Sequence, residues 1–253
     1  MNCNLNELSA KWKSILDTLL EEYHFEDFLI PRNAEAFHEW DDCYGYNCAC
    51  KLNLSFHNGM TRLVITDDSC DCAIKIQFLA QDWEKYQYDY NKVEAAVYQK
   101  AIEEGLEEHF TWMYKLLDLN FTYSNIEYSC PIYAMEFCEV DDYYNEELST
   151  DYQFKMYCDD NNCDEDTCTY SRDDFFDGSG EEDQMLELAG HLWDDPDDFS
   201  NFQCFLDDMG ISDLHSGNWG FVDGRFVVCD YGGYCNSVAG IEPVLNPTFK
   251  SNI

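Results

Sequence analysis

Four polar side chains in the stretch GISDLHSGNWGFVDGRFVVCDYGGY, Gly210 to Tyr234, could do chemistry: Asp213, His215, Asn218 and Asp230. Carboxylate and carboxamide oxygens can ligate a hard divalent cation, and a carboxylate or an imidazole can accept a proton. The first three sit in a glycine-punctuated turn, and the fourth closes an apolar run as Asp-Tyr-Gly. Further upstream, Lys75 lies in the alternating segment CAIKI and Glu94 in KVEAAVYQKA, an ammonium and a carboxylate of opposite sign. Each has an ordinary reading as well. Asp and Asn in DLHSGN can bond their own backbone in a turn, Asp-Tyr-Gly after a strand is a common turn, and a lysine in an alternating strand is usually an outward-facing charge.

Positioning these groups requires regular elements, and the pattern supplies them. Residues 6–23 repeat Trp12, Ile15, Leu16, Leu19, Leu20 and Tyr23 at three-to-four spacing, which predicts a covering helix with one apolar stripe. From Cys48, CACKLNLSF alternates, HNG supplies a tight turn at Asn58-Gly59, and TRLVIT and CAIKIQFL follow, so three antiparallel strands are expected. Val93, Val97, Ala101 and Ile102 predict a helix, with Gly105 interrupting before a second helical stretch. NIEYSCPIYAMEFCEV reads as two short strands around Pro131, and EEDQMLELAGHLW as a helix. A last helix should begin with Asp195 as N-cap and Pro196 in its first turn, bury Phe199, Phe202, Phe205, Leu206 and Met209, and stop at Gly210.

The order of strand, AIK, glutamate-bearing helix, strand, buried helix, DLHSGN, strand and DYG resembles the protein-kinase-like superfamily, above all its compact aminoglycoside-kinase-like and bacterial or phage members. The resemblance runs from about Ala49 to Tyr234. It implies an α+β, two-lobed fold, with an antiparallel-sheet N-lobe carrying one key helix within residues 1–138 and a short, mainly helical C-lobe with an acidic insertion within 139–253. It implies Mg²⁺ and ATP as cofactors and phosphoryl transfer as the reaction. By resemblance Asp213 is the general base, Asn218 and Asp230 are metal ligands, and His215 occupies the position where small-molecule kinases also carry histidine. Lys75 matches the lysine that holds the α- and β-phosphates, and Glu94 matches its ion-pair partner, with Glu103 and Glu104 as fallback choices. The hinge that meets adenine would lie at Met135, Glu136 and Phe137, and Gly45 is the sole glycine in the stretch where a phosphate-binding loop should be. All these groups are expected to face one nucleotide.

Composition bounds the alternatives. With 253 residues and 45% apolar content, 16% of it aromatic residues, the chain can bury a core. Its 52 acidic against 14 basic residues give a formal charge of −38, which repels nucleic acid and anionic membranes and attracts basic partners. Between Asp141 and Ser200 stand 21 acidic residues against Lys155 and Arg172. This region could recruit a basic host protein, so the alternative reading is a non-catalytic acidic scaffold, or pseudokinase, that mimics nucleic-acid charge. A small acidic chain of this style, with 21 residues after Gly232, suits a phage or mobile-element protein acting on a host factor. The opening MNCNLNELSAKWKSILDTLL lacks the pattern of a signal peptide, so the 14 cysteines are expected as thiols in the cytoplasm. Cys158, Cys163 and Cys168 match zinc spacing poorly, and an EF-hand loop starting at Asp159 would need its closing glutamate where Tyr170 stands.

Overall fold

In the computed structural model the described residues are 5–59, 61–67, 72–79, 89–138, 140, 155, 158, 186, 189, 190, 193 and 196–232. They fall into two compact units, one drawing on Met1–Ala95 and Trp112–Phe137, the other on Ala96–Thr111 and Cys138–Glu242. The fold is mixed α+β.

The first unit begins with α1 (Leu5–Tyr23), whose Leu8, Trp12, Leu16, Leu19 and Tyr23 are buried. Then come α2 (Glu26–Leu29), α3 (Ala34–Trp40), a π-helical turn (Asp41–Gly45) and α4 (Tyr46–Leu52). Asn33 caps α3 by accepting from the Ala36 amide at 2.9 Å, and Asn53 ends α4 in the left-handed conformation, φ 53°. Alternation over CACKLNL predicted a strand from Cys48; the chain is helical there, and the first strand, β1 (Leu54–Asn58), starts only after Asn53. The overriding force is burial: Cys48 is fully covered within the core of α1–α4, a placement that a helical turn provides.

The other strands are β2 (Arg62–Asp67), β3 (Cys72–Gln77), β4 (Met113–Tyr123) and β5 (Ile126–Glu136), giving a five-stranded antiparallel sheet in the order β1-β2-β3-β5-β4. The expected count of three strands was too low. The stretch after Gly105 was expected to be helical, yet only a 3₁₀ turn, Glu107–His109, precedes β4. Nor is the chain broken into two strands around Pro131. β5 runs through that residue, whose missing N–H costs nothing because β3 pairs only with Tyr133 to Glu136. Ser124 and Asn125, both with positive φ (50° and 65°), close the β4–β5 hairpin.

Alternation sorts the sheet's two faces. Leu63, Ile65, Ile74, Ile76, Ile132 and Ala134 belong to one apolar core with Trp12, Leu16, Leu19, Phe25, Phe28, Phe37 and Trp40 of the helices. Lys75 of β3 lies opposite Val64 of β2 and Tyr133 of β5, on the other face. Arg62, two residues from Val64, shares that face. The first turn of α5 (Tyr90–Glu104) is counted with this unit.

The second unit takes the later turns of α5, with Val97 and Ala101 fully buried, and Gly105 stops the helix at φ 76°. α6 (Pro196–Met209) buries Phe202, Phe205, Leu206 and Met209 as its spacing predicts. Gly210 ends it with φ 69°. A 3₁₀ turn (Ser216–Asn218) leads into a hairpin of β6 (Trp219–Val222) and β7 (Arg225–Val228), closed by Asp223 and Gly224 with φ 50° and 81°. Phe110 meets Phe202, Phe205 and Tyr231 at ring separations of 5.6, 5.5 and 5.2 Å, an aromatic core that fixes α6 against the segment after β7. The predicted helix at 181–193, the N-cap Asp195 and nearly all of the acidic stretch lie outside the described residues.

Candidate functional site

In the first unit the chemistry centres on Glu94. Burial of an ionised group is costly unless opposite charge and hydrogen bonds replace water, and Glu94, 1% exposed, has both. Lys75 Nζ donates to its Oε2 at 2.9 Å, and Arg62 Nη1 donates to its Oε1 at 2.7 Å. The expected pair Lys75–Glu94 is thus formed, whereas Glu103 is exposed and bonded to Lys100, and Glu104 is exposed. Two links hold the helix in register with the strand. Asn91 Nδ2 donates to the Lys75 carbonyl at 3.3 Å, and Asp89 caps α5 by accepting from the Lys92 amide at 3.1 Å. Burial raises the Asp89 pKa above the usual carboxylate value, against the pull of the Lys92 amide and nearby cations.

Arg62 was not singled out in the sequence. Its signal was available: in TRLVIT it stands two residues before the valine that pairs with Lys75, which places it on the lysine's face. The nucleotide-contacting choices fare differently. Met135 and Glu136 are the last residues of β5, opposite Ala73 and Cys72, and the Glu136 amide is bonded to the Trp112 carbonyl at 3.0 Å. Phe137 follows, 43% exposed. Gly45 does not lie in an open loop as expected. It closes the π-helical turn, is buried, and has φ −54° and ψ −51°, so its backbone belongs to a helix rather than to a cradle for phosphates.

In the second unit the loop Asp213–Asn218 is braced by its own backbone. Asn218 Nδ2 donates to the Asp213 carbonyl at 2.7 Å, as an ordinary turn would have it, and this leaves the amide oxygen Oδ1 as the end able to meet a cation. The Gly217 amide donates to His215 Nδ1 at 3.1 Å, which puts the proton of the neutral imidazole on Nε2. That nitrogen lies 3.8 Å from Asp213 Oδ1, within ion-pair range if the imidazole is protonated. Asp213 itself is 25% exposed, open enough to exchange a proton. The hairpin then carries Asp230 to the same place. Trp219 pairs with Val228, and the Cys229 and Asp230 amides converge on the Asn218 carbonyl at 2.8 and 3.4 Å. Tyr231 cannot wander: it is 1% exposed, and its hydroxyl donates to the Thr111 carbonyl at 2.7 Å.

A third polar group escaped the sequence reading, for its members are remote in the chain. One ligand atom each from Glu108, His109 and Asp198 lie within 4.8 Å of one another. Asp198 Oδ2 is 3.1 Å from His109 Nε2 and accepts from Trp193 Nε1 at 3.1 Å, while the imidazole packs on Trp193 with ring centres 4.5 Å apart. This arrangement ties the 3₁₀ turn to the first turn of α6. Burial lowers the His109 pKa below 6.5, outweighing the attraction of Asp198 and Glu108. Because the unfolded chain binds this proton more readily, the histidine's contribution is fully present above about pH 6.5 and is lost as pH falls through the folded value. Urea midpoints at pH 7.5 and 5.0 are therefore expected to show a larger acid-side loss in the native chain than in His109→Gln. Equal losses would remove His109 as the cause.

Comparison with protein-family models and with curated protein sequences finds no match. The fold and sites define an α+β protein whose five-stranded antiparallel sheet carries a buried lysine–glutamate–arginine cluster. A separate loop-and-hairpin gathers Asp213, His215 and Asn218 beside Asp230. Among the described residues no helix is long and apolar enough to cross a membrane.

Proposed function

We propose that the chain is a protein-kinase-like phosphotransferase using ATP and Mg²⁺. The observation carrying this reading is the buried Lys75–Glu94 pair, 2.9 Å long, joining the central strand β3 to the helix that follows it. In kinase chemistry such a pair orients an ammonium toward phosphate oxygens. The other support is the meeting of Asn218 and Asp230 at the base of the β6–β7 hairpin, which offers an all-oxygen donor set of the kind that suits Mg²⁺. In the proposed reaction Lys75 holds the α- and β-phosphates, Asn218 and Asp230 hold the cation, and Asp213 takes the proton of the acceptor hydroxyl as its oxygen bonds to the γ-phosphorus. His215 steadies the Asp213 carboxylate. The γ-phosphoryl passes to the acceptor, and ADP departs with the bonding pair of the broken bond.

Mg²⁺-ATP is expected to raise the melting temperature, since a ligand at a hundredfold over its dissociation constant adds about 2.7 kcal/mol. Asp230→Asn should abolish the rise while leaving the ligand-free melt nearly unchanged, because it removes a charged oxygen ligand but almost no volume. A native chain that shows no shift at millimolar nucleotide overturns the reading. A full shift in Asp230→Asn reassigns the metal ligand.

The formal charge of −38 favours a second reading, in which the acidic stretch recruits a basic protein, such as the host factor of a phage or mobile element, or occupies its nucleic-acid groove. The two readings differ in what Asp213 does.

A further inference from the structure

The Glu94 carboxylate divides its two oxygens between cations from two different strands. Oε2 takes Lys75 of β3, and Oε1 takes Arg62 of β2, with the two side chains only 4% and 7% exposed. Arg62 also lies over the Tyr90 ring at 5.9 Å, at the start of the same helix. A lone lysine–glutamate pair creates a conflict for a phosphate-binding lysine. When the ammonium turns to an anion, its carboxylate is left buried with less compensation, and the helix bearing it is loosened. A guanidinium is the better permanent holder, being always charged and more weakly hydrated than an ammonium.

We infer that Arg62 is a positioning residue: it keeps Glu94, and with it the first turn of α5, in place when Lys75 engages a phosphate anion. This rests on the nucleotide reading for the identity of the anion. The anchoring of Glu94 by Arg62 does not depend on it. Lys75 is thus the exchangeable member of the cluster and Arg62 the fixed one. The ligand class is a phosphoanhydride or other phosphate anion presented with a divalent cation.

The experiment is hydrogen exchange of the α5 first-turn amides in the native chain, Lys75→Met, Arg62→Met, Arg62→Lys and the Lys75→Met/Arg62→Met double variant. Each is measured without ligand and with millimolar Mg²⁺-ATP. Without ligand, either single methionine variant leaves Glu94 one cation, so exchange stays within about threefold of native, while the double variant exchanges at least about tenfold faster than the product of the single effects. A double variant no faster than that product overturns the anchoring role. With Mg²⁺-ATP, the native first turn keeps or gains protection, Arg62→Met loses protection on adding the nucleotide, and Arg62→Lys restores the native response. A purely structural arginine would weaken α5 equally with and without nucleotide, which also overturns the inference. If Mg²⁺-ATP does not bind the native chain, the nucleotide reading fails, and the ligand-free arm still decides whether Arg62 holds Glu94. Should Arg62→Met not fold, Arg62→Lys alone and combined with Lys75→Met gives the same comparison.

Discussion

Asp213→Asn is expected to lower the rate of ADP release from Mg²⁺-ATP by about 10²–10⁴-fold, the usual loss on removing a general base, with the nucleotide dissociation constant nearly unchanged. The substitution keeps the shape of the loop. The bond from Asn218 Nδ2 goes to the Asp213 backbone carbonyl and not to its carboxylate, so the turn does not depend on the charge. What changes is the capacity to accept a proton. In an acidic recruiting protein the same substitution removes one carboxylate of 52, and binding to a basic partner should hardly alter. The complementary variant neutralises Asp159, Asp160, Asp164, Glu165 and Asp166 together. It should weaken a salt-sensitive partner interaction while sparing ADP release. If Asp213→Asn turns over at the native rate, the phosphotransferase reading is wrong. If both variants fail against the biological target, the charged stretch recruits what the loop then modifies.

The second large effect concerns stability. Glu94→Gln preserves volume but leaves two nearly buried cations facing a neutral amide, one end of which is itself a donor. Removing the charged partner from a buried ion pair typically costs about 3–5 kcal/mol, a large share of the stability of an ordinary domain. Urea unfolding followed by tryptophan fluorescence should register that loss. Adding Lys75→Met and Arg62→Met to Glu94→Gln should recover much of it, because replacing a buried charged cluster by apolar groups is often neutral or stabilising. A Glu94→Gln protein as stable as the native one would show that the cluster is well solvated and the buried-charge argument unsound.

Long periodic segments carried most of the legible fold. α1 and α6 each present an apolar stripe strong enough to fix element type and buried face. β2 and β3 showed themselves by alternation around polar residues and by the Asn58-Gly59 turn, and the Gly59 amide does bond to the Arg62 carbonyl at 2.9 Å. What failed was decided by partners distant in sequence. YNCACKL alternates over too few residues to outweigh the pull of the helical layer. The apolar residues of FTWMYKLL fit either period, and only pairing with β5 makes them a strand. The polar residues were legible by type and spacing. Arg62 was not, because its role depends on a strand register and on a carboxylate 32 positions further along the chain. The same holds for His109, whose partners stand on α6.

The short separation between the loop and Asp230 has a kinetic side. Asn218 and Asp230 are joined through one hairpin with a two-residue turn, so their meeting requires only the closure of a small loop, an event of microseconds. Pairing Cys72 with Glu136 must instead wait for the ends of a much longer segment to find each other. Contacts of high sequence separation slow folding. The oxygen-rich corner of the second unit can therefore assemble early and locally, and the rate at which a newly made chain becomes competent is set by completion of the central sheet around β3.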